Sequence, residues 1–363
     1  MTGPDPRPAG AEGDVTLPCA REPLPPPVVP ARPGPRIGWA PDASTLPSPG
    51  SQPSRPILDV AGLTLRFGGL TSLDDVSLRQ QRGTVLALIG PNGAGKTSLF
   101  NCLTGAYRPR RGSAHFWPAR VHDAVSWAPA HVGAGAAAGG DAPGGRAGGT
   151  AARRRRGRID PAATEVARRP VELLGRSAHA VARLGIARTF QSIRLFGDLT
   201  VLDNVRVGVE VRARVGAGRA LLPLPFVRRE AAAVTAACWE LLDFVGLADR
   251  ADQPAASLPY GAQRRLEIAR ALGTRPSLLL LDEPAAGASA AERRDLIDLI
   301  GEIRARGVTI LLIEHDMRLV AAVADTVVAL TFGRVIATGT PDEVRADPAV
   351  IEAYLGTSAR PPG

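Results

Sequence analysis

Lysine is almost missing from this chain. Of 44 basic residues, 43 are arginine, and Lys96 is the only lysine among 363 residues. Arginine carries its charge on a planar fork and lysine on a compact ammonium, so a composition that keeps one lysine marks a position needing a point charge. Aromatic residues are scarce too, at 4%, which leaves Leu, Val, Ile and Ala to build the core. The three cysteines, Cys19, Cys102 and Cys238, are far apart and show no metal-ligand spacing. That pattern suits a reducing cytoplasm and small core residues. No apolar run approaches the roughly 18 residues that a spanning helix needs. The opening MTGPDPRPAG has neither the basic region nor the apolar stretch of a secretory signal. A role at a membrane is therefore expected to work by docking on membrane partners.

What is present is the composition of a soluble globular protein, 45% apolar and 22% charged. The formal net charge is +9, but it is unevenly spread. Residues 117–170 carry nine arginines against four acidic residues. Nucleic-acid or lipid-headgroup binding by this segment would rest on composition alone. Its runs AHVGAGAAAGGDAPGGRAGG and RRRRGR hold too little apolar side chain for a core, so residues 117–170 read as a disordered insertion. Residues 1–55 hold 15 of the 33 prolines and read as a disordered, partly polyproline arm. The ordered domain is expected over 56–356 apart from the insertion, with a short disordered tail at 357–363.

Within that domain ILDVAGLTLRF alternates like a strand, and TVLALIG, SLLLLDEP and VTILLIEH are short apolar runs of buried strand type. SAHAVARLG, REAAAVTAACWELLDFVGL and AAERRDLIDLIGEIRARG have helical spacing. Strands alternating with helices predict an α/β fold with a mostly parallel sheet.

The chemistry concentrates after TVLALIG. GPNGAGKT, from Gly90 through Pro91, Asn92, Gly93, Ala94, Gly95 and Lys96 to Thr97, fits the phosphate-loop pattern and precedes the helical run TSLFNCLTG that Thr97 and Ser98 open. Its glycines let backbone N–H groups curl around phosphate oxygens, and the helix N-terminus adds its positive end. Lys96 is expected at the β- and γ-phosphates and the Thr97 hydroxyl on Mg²⁺. LLLLDEP supplies the matching acidic strand end: Asp282 to hold Mg²⁺ through water, Glu283 to polarise the attacking water as general base.

The order of segments resembles the ABC ATPase family. It runs from the phosphate loop to Gln191 in ARTFQ, a signature at LPYGAQRR, Asp282-Glu283, the loop GASA, and His315 in LLIEHD. The resemblance implies a P-loop NTPase with a RecA-like core, an antiparallel β subdomain and a helical subdomain at about 192–257. It also implies that Phe67 in LRFGG stacks on adenine, that Gln191 touches Mg²⁺ and the attacking water, that Gly261 serves the nucleotide of a partner ATPase, and that His315 contacts the γ-phosphate. RTFQSIRLFGDLTVLDNV, YGAQRRLEIARAL and GTPDEVRADPAVIEAYLG further resemble the LivG-type ATPase of branched-chain amino acid importers. Such a subunit is expected at the cytoplasmic face of the membrane with a homologous ATPase, transmembrane permeases and an extracytoplasmic binding protein, and with no specific nucleic acid.

Against the LSGGQ signature common in that family, Pro259 replaces Ser, Tyr260 the first Gly and Ala262 the Gln. Ser289 and Ala290 stand where Asn or Asp and Pro are usual. These departures bear on the speed of hydrolysis at a shared site rather than on nucleotide binding, and leave a slow, degenerate ATP-binding partner as one alternative. The other is a soluble ABC ATPase acting on nucleic acid or ribosomes through the arginine-rich insertion.

Overall fold

A computed structural model of the chain describes residues 56–118, 169–211 and 225–355. The proline-rich arm, nearly all of the arginine-rich insertion and the tail lie outside them.

Two sheets organise the fold. The first is antiparallel, in the order β2-β1-β4-β5: β1 is Pro56–Phe67, β2 Leu70–Gln81, β4 Arg111–Phe116 and β5 Val171–Glu172. Gly68 and Gly69 join β1 to β2, with Phe67 facing Leu70 across the hairpin end. Trp117, at the proposed start of the insertion, still extends the β4–β1 pairing, since its N–H donates to the Ile57 carbonyl at 2.9 Å.

The second sheet has six strands in the order β10-β9-β3-β8-β7-β6. β3 (Val85–Ile89), β6 (Ile186–Arg188), β7 (Leu278–Asp282), β8 (Thr309–Ile313) and β9 (Thr326–Thr331) run parallel, and β10 (Arg334–Gly339) closes an antiparallel hairpin. Every residue of β3, β7 and β8 is buried. Their sequences VLALI, LLLLD and TILLI have no polar alternation because both faces of a parallel sheet are covered. Gln80 ties the two sheets together. Its buried amide donates to the Ile310 carbonyl at 2.7 Å and to that of Thr84 at 3.2 Å.

Helices cover the parallel sheet. α1 (Lys96–Leu103) follows β3, and α2 (Ala178–Leu184) leads into β6. α3 (Val201–Glu210), α4 (Pro225–Phe244) and α5 (Tyr260–Gly273) pack on one another as a helical layer. At the Gly208–Arg270 crossing only glycine fits, since a β-carbon there would sit 2.1 Å from the Arg270 carbonyl oxygen. α6 (Ala290–Ala305) and α7 (Met317–Val323) complete the alternation, and α8 (Pro341–Ala346) and α9 (Pro348–Leu355) close the chain against the β9-β10 edge. The α/β fold expected from the alternation of apolar runs is the fold observed. Among the described residues no helix is long and apolar enough to cross a membrane.

Candidate nucleotide site

The strand order brings the functional segments together. β6, β7, β8 and β3 are neighbours, and Gln191, Asp282-Glu283, His315 and the phosphate loop follow their C-terminal ends in turn. Ligands of open α/β sheets bind at that edge.

The phosphate loop is fixed by close backbone approach. Gly90 has φ +145°, and a β-carbon there would lie 2.1 Å from the Leu330 carbonyl oxygen. Gly95 has φ +101° and would place a β-carbon 2.6 Å from the Ser72 carbonyl oxygen. The Gly333 N–H donates to the Ala94 carbonyl at 3.0 Å, so the β9-β10 hairpin braces the loop from the side. The Ser72 and Ser98 hydroxyls bond at 2.7 Å, tying β2 to the first turn of α1. The outer face stays open: Asn92, Gly93 and Thr97 are exposed, and nothing lies within 4 Å of where a Gly93 β-carbon would be. An open rim of N–H groups at a helix start is a receptacle for phosphate.

Lys96 is buried, and its ammonium donates to the carbonyls of Gly90 at 2.7 Å and Pro91 at 3.0 Å. Desolvation lowers its pKa from the ordinary lysine value, and the Glu283 and Asp282 carboxylates partly offset this. The single lysine of the chain is thus held inside the loop, near Asp282 at the end of β7 and Glu283 just beyond it.

Those acids have different surroundings. Asp282 is 2% exposed and pairs with Arg188 at 2.8 Å, while its own N–H donates to the Thr189 hydroxyl at 3.4 Å. Glu283 sits in the left-handed backbone region at φ +45°. Its Oε2 accepts a hydrogen bond from the Gln191 side-chain amide at 2.8 Å. A carboxylate oriented by a side-chain amide beside a lysine and a second acid is equipped to take a proton from water. His315 follows β8 with its Nδ1 3.8 Å from the Glu314 carboxylate and its side chain 60% exposed, so the ring remains accessible to a ligand. The cradle, the exposed Thr97 and the adjacent acids Asp282 and Glu283 fit a nucleotide with its Mg²⁺.

Phe67 and Gly261 are not hydrogen-bonded into this set. Phe67 is half-exposed at the hairpin end, and Tyr107 packs edge-on against it with ring centroids 5.1 Å apart. Gly261 lies in the first turn of α5 against Glu292, whose Oε1 would be 2.2 Å from a β-carbon there. Ala262 is buried. Ser289 acts as N-cap of α6 in a reciprocal capping box with Glu292, which gives the altered D-loop position a local structural job.

Three further residues escaped the motif reading. Arg188 reaches Asp282 and also the Asn101 side-chain oxygen of α1 at 2.6 Å. Arg264 donates to the carbonyls of Phe190 at 2.7 Å and Gln191 at 2.8 Å, so α5 grips the segment that carries the glutamine. Glu314, 1% exposed, accepts the backbone N–H groups of Ala285 at 2.9 Å and His315 at 3.0 Å. The signal for Glu314 was a carboxylate closing an otherwise apolar strand run; a buried charge demands several donors.

The geometry agrees with comparison to known proteins. Residues 73–137 and 151–286 match the family model described as ABC transporter. Residues 334–360 match that of the branched-chain amino acid ATP-binding cassette transporter. The chain is 40% identical over 306 residues to the high-affinity branched-chain amino acid transport ATP-binding protein LivG of Salmonella typhimurium, covering 84% of this chain and 99% of the relative. With BraF of Pseudomonas aeruginosa, a protein of the same description, it shares 39% over the same length and coverage. Among solved structures, the ADP conformation of an ATP-binding cassette of an ABC transporter superposes with a TM-score of 0.61 at 26% identity, covering 84% of this chain and 100% of that one. These matches favour the transporter reading over a nucleic-acid-directed ATPase. The chain belongs to the ATP-binding cassette proteins of ABC transporters, in their LivG-type group.

Proposed function

We propose that the chain binds ATP with Mg²⁺ and hydrolyses it to drive import of branched-chain amino acids or related amides. The observation that carries hydrolysis is the Gln191–Glu283 hydrogen bond of 2.8 Å beside Asp282. It orients a carboxylate as a base rather than leaving it a mere ion partner.

Thr97, Gln191 and Asp282 would hold Mg²⁺, whose charge would be shared with the phosphate oxygens. Glu283 takes the proton of the attacking water, the water oxygen bonds to the γ-phosphorus, and the β–γ bridging oxygen leaves with ADP. Lys96 turns from the Gly90 and Pro91 carbonyls to the β- and γ-phosphates and neutralises charge there. His315 contacts the transferred phosphoryl group, and Phe67 supplies a face for adenine. Gly261 of one subunit serves the nucleotide of a homologous partner, so two ATPs close the dimer and hydrolysis reopens it.

The permease would dock on the groove of about 530 Å³ between the helical layer and the sheet, where Phe190 lines the wall next to Gln191. The subunit then works at the cytoplasmic face, with an extracytoplasmic protein delivering the substrate. Replacing Glu283 by Gln tests the chemistry. ATP binding should persist while turnover falls by about 10²-fold or more; unchanged turnover removes Glu283 from the base role.

A further inference from the structure

The first glycine of the phosphate loop is held on both sides of its own residue. Its carbonyl accepts the Lys96 ammonium at 2.7 Å, and its N–H donates to the Tyr354 hydroxyl at 2.8 Å. Tyr354 lies 264 residues away, near the end of α9. Nothing in the nucleotide chemistry proposed above uses it.

The helix that carries it is anchored. α8 begins with a capping box of Thr340 and Glu343 and has Pro341 in its first turn. It packs on β9 and β10, and α9 packs on α8 and β10. Val344 and Val350 are buried in the same small core as Ala87 and Ile89 of β3, the strand that runs into the phosphate loop. Tyr354 also shares an apolar recess with Met317, two residues beyond His315. The terminal helices therefore touch both the start of the phosphate loop and the segment after the His315 loop. They fall within the 334–360 match and outside the 73–137 and 151–286 match to the general cassette model.

The Leu330 carbonyl oxygen lies 2.1 Å from where a Gly90 β-carbon would be, so the backbone is closely packed on that side of the glycine. The Tyr354 hydroxyl holds the N–H of the same residue. Tyr354 as a whole is 40% exposed, but desolvation around its hydroxyl raises the pKa, so the hydroxyl stays protonated over the physiological range.

We propose that Tyr354 is a positioning residue for the phosphate loop: its hydroxyl pins the Gly90 N–H and thereby sets the affinity for ATP. The inference rests on the ATP-binding reading above. It requires that the C-terminal helix act on binding rather than on the chemical step, because Tyr354 reaches the loop's entry and none of Asp282, Glu283 or Gln191.

The test uses the full chain with Tyr354→Phe, which keeps the ring and removes only the hydroxyl. Two readouts are taken beside wild type and a Lys96→Ala control: affinity for a fluorescent ATP analogue with Mg²⁺, and hydrogen exchange of peptides covering residues 85–95. Loss of one hydrogen bond predicts an affinity about three- to tenfold weaker. KM for ATP should rise by the same factor with kcat unchanged, and exchange should quicken in the 85–95 peptides alone. Unchanged affinity with unchanged exchange overturns the proposal. So does faster exchange spread evenly over β7 and β8, which would make Tyr354 a general packing residue. Tyr354→Leu, which removes ring and hydroxyl together, should weaken affinity at least as much; wild-type affinity in it overturns the proposal too. A wild-type chain that binds no ATP defeats the functional reading instead, and the exchange measurement still decides the Tyr354–Gly90 contact.

Discussion

The guanidinium of Arg188 lies 2.8 Å from the carboxylate of Asp282, and both side chains are buried. The rings of Phe100 and Phe190 flank that guanidinium at 5.4 and 5.1 Å, so little water reaches the pair. Removing one partner of a buried pair leaves the other charge uncompensated, at a cost of about 3–5 kcal/mol. Arg188→Leu should lower the unfolding free energy by that order in urea titrations. Adding Asp282→Asn should restore part of the loss, because the stranded charge is gone. A double variant no more stable than Arg188→Leu would refute the pairing as the source.

The lone lysine makes a second prediction. Lys96→Arg keeps the charge but replaces a compact ammonium with a fork. The compact ammonium is held inside the loop by the Gly90 and Pro91 carbonyls, at 2.7 and 3.0 Å, and in the proposed complex it turns from them to donate to the phosphates. Charge-assisted hydrogen bonds contribute about 1.5–3 kcal/mol, so ATP affinity should fall roughly 10- to 100-fold by titration calorimetry. Retained affinity would show that charge alone suffices.

Ser289 tests the altered D-loop. Its side chain caps α6 by accepting the Glu292 N–H at 3.3 Å, so Ser289→Ala should cost about 1 kcal/mol in urea unfolding. The Glu292 carboxyl is held below its ordinary value of 4.5, first by the Ser289 backbone N–H and then by its side chain. A folded value below the unfolded one gives stability that is complete above about 4.5 and lost as pH falls through the folded value. Glu292→Gln should therefore flatten the acid limb of the melting-temperature profile. An identical limb in both proteins would exclude this group.

Cys102 and Cys238 are buried, and desolvation pushes both thiols up to about 12. The thiolate is the reactive form. Neither should be alkylated by iodoacetamide at pH 8 in the native protein, and both should be after denaturation. Mass mapping of the labelled sites reads this directly, and native labelling of either would contradict the packing.

Much of the fold was legible because its strands are apolar throughout. LLLLD and TILLI could only be strands of a covered sheet, and GPNGAGKT between a strand and a helix announced its own geometry. That the acids, Gln191 and His315 would lie at one end of the sheet was legible from their order along the chain. Less legible were groups whose meaning comes from folding. Arg188 looked like one of 43 arginines, and only the β6–β7 pairing puts it on Asp282. Arg264 likewise acts across 73 and 74 residues on the Gln191 segment. Tyr354 sits in a short, largely apolar helix, and no local pattern ties it to Gly90. By contrast, the capping box of Ser289 and Glu292 is a readable spacing, a serine followed three residues on by a glutamate.

Glu283 occupies a left-handed backbone conformation, at φ +45°, that a glutamate adopts at a cost of about 1–3 kcal/mol. Glycine or asparagine would rest there with less strain. Substituting either should raise the melting temperature while removing the proposed base. A screen of variants by heat resistance alone would therefore enrich for inert proteins at this position, and any selection for robustness must be paired with an assay of turnover.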